Sequence, residues 1–249
     1  MSLKCGGTPK AGPAAFSPQQ PAWISASTAD AGLRTQAFIR RVDGWMLAGL
    51  LLTALALVWV ISSPVMQAIV LGSPIVTIGL ILTELAIVVF LSFRLTKMSP
   101  AAAASSFLVY SFLNGLTLSV IFWQYLHTSI VRAFLTAAGM FGAMSVYGLV
   151  TKRDLTSWGA FFFMGLMGII LCGVVNIFLR SSGLSFVISV VGVFIFLGLT
   201  AWDNQKLKTM ATVTGPMQEN VAVIGALALY LDFLNLFLFL LRLFGDRRQ

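Results

Sequence analysis

The sequence predicts an all-α polytopic membrane protein with seven transmembrane helices, and three observations carry the prediction. The first is composition. Of 249 residues, 58% are hydrophobic and 10% charged, whereas an ordinary soluble domain is roughly 45–50% apolar and about 25% charged. The second is patterning, because the apolar residues come in long runs, each close to the roughly 20 residues that cross a bilayer. The third is where the charge sits. The chain carries a formal charge of +8, and its Lys and Arg fall almost entirely between the apolar runs, where they set topology and meet lipid headgroups. No basic patch interleaves with exposed aromatics, so nucleic acid is excluded as a partner and the bilayer itself is the expected one.

Taken in order, residues 1–40 are polar, rich in Pro, Ala, Ser and Gln, and read as a flexible tail. Residues 41–249 read as the membrane domain. Its spans are expected near 43–62, 74–95, 101–125, 131–151, 156–179, 184–206 and 221–244. Pro64 and Pro74 bracket the first connection, Ser99-Pro100 ends the second span, and Lys152-Arg153-Asp154 forms a tight polar turn. The small residues Ala137, Ala138, Gly139, Gly142, Ala143, Gly159, Gly165, Gly168 and Gly173 read as close-packing faces. No cleavable signal peptide is visible, so the first span acts as the insertion signal. With seven spans, Lys4, Lys10, Arg34, Arg40, Arg41, Arg94, Lys97, Lys152, Arg153, Lys206 and Lys208 share one side. Arg132, Arg180, Arg242, Arg247 and Arg248 share the other. The excess places the N-terminus in the cytoplasm, although the arginines at the C-terminus pull the other way.

Few ionisable residues fall inside the spans, and there they are expensive. An Asp at a helix centre costs roughly 2.5–3.5 kcal/mol on insertion scales, and such residues mark ion paths, proton relays or gates. Asp43 opens the first span, where a carboxylate suits the helix dipole. Arg94 ends the second and can snorkel to the headgroups. Glu84 lies mid-span in the second, Asp203 near the end of the sixth, and Asp232 in the middle of the seventh with Asn235 on the same face. Asp203 and Asp232 are the leading functional candidates, with Glu84, Arg94 and Asn235 behind them. The single histidine, His127, has no companion ligand, so zinc catalysis is not expected. No nucleophile–base pair or phosphate-cradling loop is visible, and no enzyme activity or permanently bound cofactor is expected.

Five stretches together resemble a known family. Arg40-Arg41-Val42-Asp43-Gly44-Trp45-Met46 opens the first span, and Asn114-Gly115-Leu116-Thr117-Leu118-Ser119 lies in the third. Tyr147-Gly148-Leu149-Val150-Thr151-Lys152-Arg153-Asp154-Leu155 joins the fourth and fifth. Trp202-Asp203-Asn204-Gln205 closes the sixth, and Leu229-Tyr230-Leu231-Asp232-Phe233-Leu234-Asn235-Leu236-Phe237 runs through the seventh. In this order the chain resembles the transmembrane Bax inhibitor motif family, which includes bacterial members. The resemblance implies a seven-helix fold with the last helix central, in a bacterial inner membrane. It implies a pH-sensitive calcium leak gated by an aspartate pair, at positions that match Asp203 and Asp232. Calcium is then the permeant or weakly held ion, with both aspartates as its oxygen ligands, and protons control it. The family's basic latch maps one residue from Arg94, and Asp43 stands where the family usually has Tyr. Some bacterial relatives act on a membrane-bound AAA protease, which leaves a protein-binding regulator as the alternative reading.

Two close carboxyls in a low-dielectric setting cannot both ionise cheaply and share a proton over part of the pH range. Spacing alone does not bring them together. If the last connection centres near residue 213, Asp232 lies about 13 Å deeper than the point opposite Asp203, at 1.5 Å per residue. The resemblance implies that they meet.

Overall fold

A computed structural model describes the backbone of residues 22–94, 98–213, 215 and 217–246, and side chains from residue 30 onward except Ser92. Residues 1–21 of the expected tail, and Lys4, Lys10, Lys97, Arg247 and Arg248 of the charge count, lie outside the described residues. Among the described residues there are eight helices and no strand: α1 (Ala22–Ser62), α2 (Pro64–Val70), α3 (Pro74–Arg94), α4 (Pro100–Gln124), α5 (His127–Val150), α6 (Thr156–Leu179), α7 (Ser182–Met210) and α8 (Met217–Phe244). Seven are long and apolar enough to cross a membrane, and α2 is the short exception.

The boundaries follow local chemistry. Pro64, Pro74 and Pro100 each take the first helical position, where a missing N–H is no loss. The Ser63, Ser99 and Ser181 hydroxyls accept backbone N–H groups of Met66, Ala102 and Leu184. One boundary differs from the sequence reading. Residues 22–40, expected as part of a flexible tail, form the first turns of α1. The helical stripe Phe38, Val42, Met46 explains the extension at its inner end: all three are buried against the bundle, so the helix must already be formed where Phe38 docks.

The bundle is organised around its last helix. Packed against α1, α4, α5 and α7, α8 has 72% of its most apolar window buried, against none of α6. Two glycines let backbones touch. A Cβ on Gly115 would lie 2.4 Å from the Thr53 carbonyl of α1, and one on Gly148 would lie 2.3 Å from the Ala201 carbonyl of α7. Not all the small residues serve this way. Gly139, Gly142, Gly168 and Gly173 face open space, because only part of α5 and little of α6 meets another helix.

Both ends of the bundle are tied. At the N-terminal end of α8, the Glu219 carboxylate accepts Arg41 Nη1 at 2.8 Å and Trp45 Nε1 at 3.1 Å from α1. At its other end, the Asp246 carbonyl accepts the Leu126 N–H and the Ser129 hydroxyl accepts the Asp246 N–H, both at 3.0 Å.

A buried carboxyl pair between the last two helices

The segment Trp202–Lys206 turns each of its side chains to a different task. The Trp202 ring fills the space over Gly159 of α6, and Lys206 Nζ sits 4.8 Å from its centroid. Buried Asn204 donates to Ser145 Oγ of α5 at 3.1 Å and to its own helix at the Thr200 carbonyl. Gln205 accepts the Leu155 N–H and donates to the Arg153 carbonyl, which clamps the α5–α6 turn. In that turn the Asp154 carboxyl takes hydrogen bonds from the Thr156 side chain and backbone, which hold it below the usual carboxylate range. With its neighbours so committed, Asp203 is left to face α8.

Its partner there is Asp232. The two carboxyls lie close enough to act on each other, and Lys206 is the cation that acts on Asp203. A carboxylate only accepts, so a hydrogen bond between two carboxyls needs a shared proton. Asp232 is 4% exposed, and its Oδ2 finds no donor among the described residues. The pair meets because the last connection is not a tight turn. Asp203 lies about 10 Å from the end of α7 and Asp232 about 22 Å from the start of α8, at 1.5 Å per residue. The difference is about 12 Å, and Ala211, Thr212 and Val213 carry the chain on past α7 with their N–H groups bonded back to Leu207, Thr209 and Met210. So α8 begins beyond the end of α7, where Glu219 meets Arg41.

None of the other sequence candidates is hydrogen-bonded to the pair among the described residues. Glu84 accepts the Thr117 hydroxyl of α4 at 2.5 Å. Arg94 is exposed at the end of α3. Asn235 donates to the Leu231 carbonyl of its own helix. Asp43 is exposed on α1.

Sequence reasoning missed two features. Lys206 was counted only as a topology charge, although its place one turn after Asp203 could have flagged it. The second is a polar cluster on the opposite face of α8. Tyr230 is fully buried, and its hydroxyl lies 2.7 Å from Thr53 Oγ1, which also reaches the Ser111 carbonyl at 2.8 Å. Phe107 and Tyr110 pack edge-on against its ring. The uncharged Thr53, Ser111 and Tyr230 raise no insertion alarm singly, and only the fold shows them together.

Comparison with known proteins agrees with this architecture. A profile described as "Inhibitor of apoptosis-promoting Bax1" matches residues 35–249. The inner membrane protein YbhL of Escherichia coli K12 is 46% identical over 222 residues, 88% of this chain and 94% of the relative. An uncharacterized protein of Borreliella burgdorferi is 44% identical over 215 residues, 85% of this chain and 93% of its own. The uncharacterized protein RP147 of Rickettsia prowazekii is 41% identical over 224 residues, 89% and 94% of the two chains. On the matched span, the relatives and the seven-span bundle around its last helix, this chain belongs to the Bax inhibitor-1-like family of membrane proteins.

Proposed function

We propose that the protein is a pH-sensitive cation leak of the inner membrane, selective for calcium, with Asp203 and Asp232 as its gate. The observation that supports this most is the pair itself: two mutually interacting carboxyls inside the bundle, one with an oxygen that lacks a donor among the described residues. A buried acceptor without a donor is costly, and evolution retains such a group in lipid for a task.

The mechanism is electrostatic. With a shared proton, the pair bridges α7 and α8 and closes the bundle. When that proton leaves, two negative charges face each other in a poorly screened setting and repel. The helices separate, or a cation enters and neutralises both charges. Calcium takes six to eight oxygen ligands. Among the described residues no group of three or more His, Cys, Asp or Glu converges, so an ion at the pair keeps much of its water. Such weak holding suits conduction, which needs release as much as binding. Lys206 lies beside Asp203 and opposes cation occupancy until Asp203 is charged.

We place the N-terminal end in the cytoplasm. Arg34, Arg40, Arg41, Arg94, Lys152, Arg153, Lys206 and Lys208 cluster there, and Arg132, Arg180 and Arg242 occupy the other end. The name of the Escherichia coli relative, an inner membrane protein, supports the membrane assignment.

Reconstitution into liposomes with an enclosed calcium dye tests the reading. The wild-type protein should carry calcium inward, faster at neutral than at acidic pH. An Asp203→Asn, Asp232→Asn double variant should lose most of that flux and its pH dependence. Equal flux in both proteins would refute the gate.

A further inference from the structure

The end of the bundle where α8 finishes contains a cavity away from the carboxyl pair. It encloses about 900 Å³ between the ends of α4, α6, α7 and α8. Its rim carries Arg180, which follows α6, and Arg242 near the end of α8. Among the described residues no Asp or Glu lines it, and neither arginine has a carboxylate partner. Ser182 and Ser185 present hydroxyls on one face of α7, and Asn176 Nδ2 donates to Ser185 Oγ. The positive end of the α7 dipole lies here, but so do the negative ends of α4, α6 and α8, so the attraction for an anion rests on the two arginines. Below the rim the walls turn apolar with Ile188 and Leu241.

One backbone feature marks the rim as more than a loop. Arg180 has φ of 49°, and among the described residues it is the only non-glycine with positive φ. That left-handed position closes helix α6, and glycine takes it most readily. The sequence has a glycine three residues later, at Gly183, yet keeps arginine at the strained position. Strain of this kind persists where the side chain has work to do.

We propose that this cavity binds a phosphate-bearing anion, with Arg180 and Arg242 as its two clamps and the α7 hydroxyls as further donors. Arginine suits this because its planar fork matches phosphate oxygens. Arg242 also lies against the Phe239 ring, with the guanidinium carbon 5.9 Å from the centroid, which limits where its fork can point. The apolar walls beneath a cationic rim at a span end match an anionic phospholipid, headgroup up and chains down. A free phosphate shares the headgroup chemistry but leaves the walls unused. The bound anion ties the α6–α7 turn to the end of α8, about 15 Å along that helix from Asp232 at 1.5 Å per residue. The site stands on its own geometry, independent of whether the pair conducts.

Thermal unfolding of the purified protein in detergent tests it, with added phosphatidylglycerol, phosphatidylcholine or inorganic phosphate. Phosphatidylglycerol should raise Tm in proportion to the logarithm of its concentration, and phosphatidylcholine should not. An Arg180→Gln, Arg242→Gln double variant should lose that rise, while Arg132→Gln, at the same end but outside the cavity, should keep it. Arg180→Gly should raise the Tm without lipid, because it relieves the left-handed backbone, and should shrink the rise with lipid. A rise with inorganic phosphate equal to that with phosphatidylglycerol would support the site and assign it a free anion. A double variant that responds to phosphatidylglycerol as the wild type does would overturn the proposal. So would a wild type that responds to neither anion.

Discussion

The two faces of α8 hold polar groups in opposite ways. On one face, Tyr230 reaches Thr53 and Ser111 across α1 and α4, with aromatic rings closing around it. Its hydroxyl is satisfied, and nothing about that face asks for a further ligand. On the other face, two residues along, Asp232 meets one carboxyl partner and keeps an oxygen without a donor. A satisfied buried network fixes a helix in place, whereas an incomplete one is poised to change state. On the proposed reading the central helix is anchored on one side and switchable on the other. On that reading, this difference would let the pair respond to pH without loss of the bundle.

Substitutions can break or sharpen this contrast. The largest effect is expected on the switchable face, where Asp232→Asn alone should abolish most calcium flux in liposomes and leave a folded protein. Gly148→Ala should come next. The added methyl meets the Ala201 backbone beside Asp203, and overpacking of this kind costs typically 1–3 kcal/mol. A lowered Tm and an altered pH profile of flux are expected. Gly142→Ala on the same helix, which faces open space, should change neither. On the anchored face, Tyr230→Phe should lower stability by about 1 kcal/mol, one net hydrogen bond, with the pH profile of flux unchanged. A pH profile that moved with Tyr230→Phe would erase the distinction between the faces.

Smaller effects belong to the ends. Glu219→Gln weakens the tie of α8 to α1. The pair is 52% and 31% exposed, so about 0–1 kcal/mol is expected from chemical denaturation. The smallest is Asp154→Asn at the start of α6. The Asp154 carboxyl is held below the usual carboxylate range by Thr156. Its contribution to stability is therefore fully present above the unfolded value and is lost as pH falls through the lowered folded value. The variant should match the wild type at acidic pH and fall slightly below it at neutral pH.

Much of the bundle was legible in the sequence, because lipid leaves few solutions. A run such as 156–179 must be a helix from end to end, and it is α6 within the same bounds. Less constrained segments were misread. Residues 22–40 are polar enough to suggest a tail, yet the Phe38–Val42–Met46 stripe draws them into α1. Glycine content did not tell which faces pack. Gly115 and Gly148 touch neighbouring backbones, while Gly139 and Gly168 do not, and only the arrangement of helices decides that. The aspartates were conspicuous by their insertion cost, but their contact was not. It depends on how far residues 211–216 carry the chain before α8 starts, a length that periodicity does not encode. Thr117 beside Glu84 was equally hidden, since a threonine in a span is unremarkable until a carboxyl faces it.

The proton proposed to be shared by Asp203 and Asp232 is the point on which the reading turns, and infrared difference spectroscopy of the protein in bilayers tests it directly. The protonated-carboxyl stretch should fall in the Asp203→Asn, Asp232→Asn variant to what Glu84 contributes, and the part so removed should fade in the wild type with rising pH over the range in which calcium flux appears. A wild-type band that persists unchanged while flux rises, or a double variant whose band equals that of the wild type, would contradict the reading.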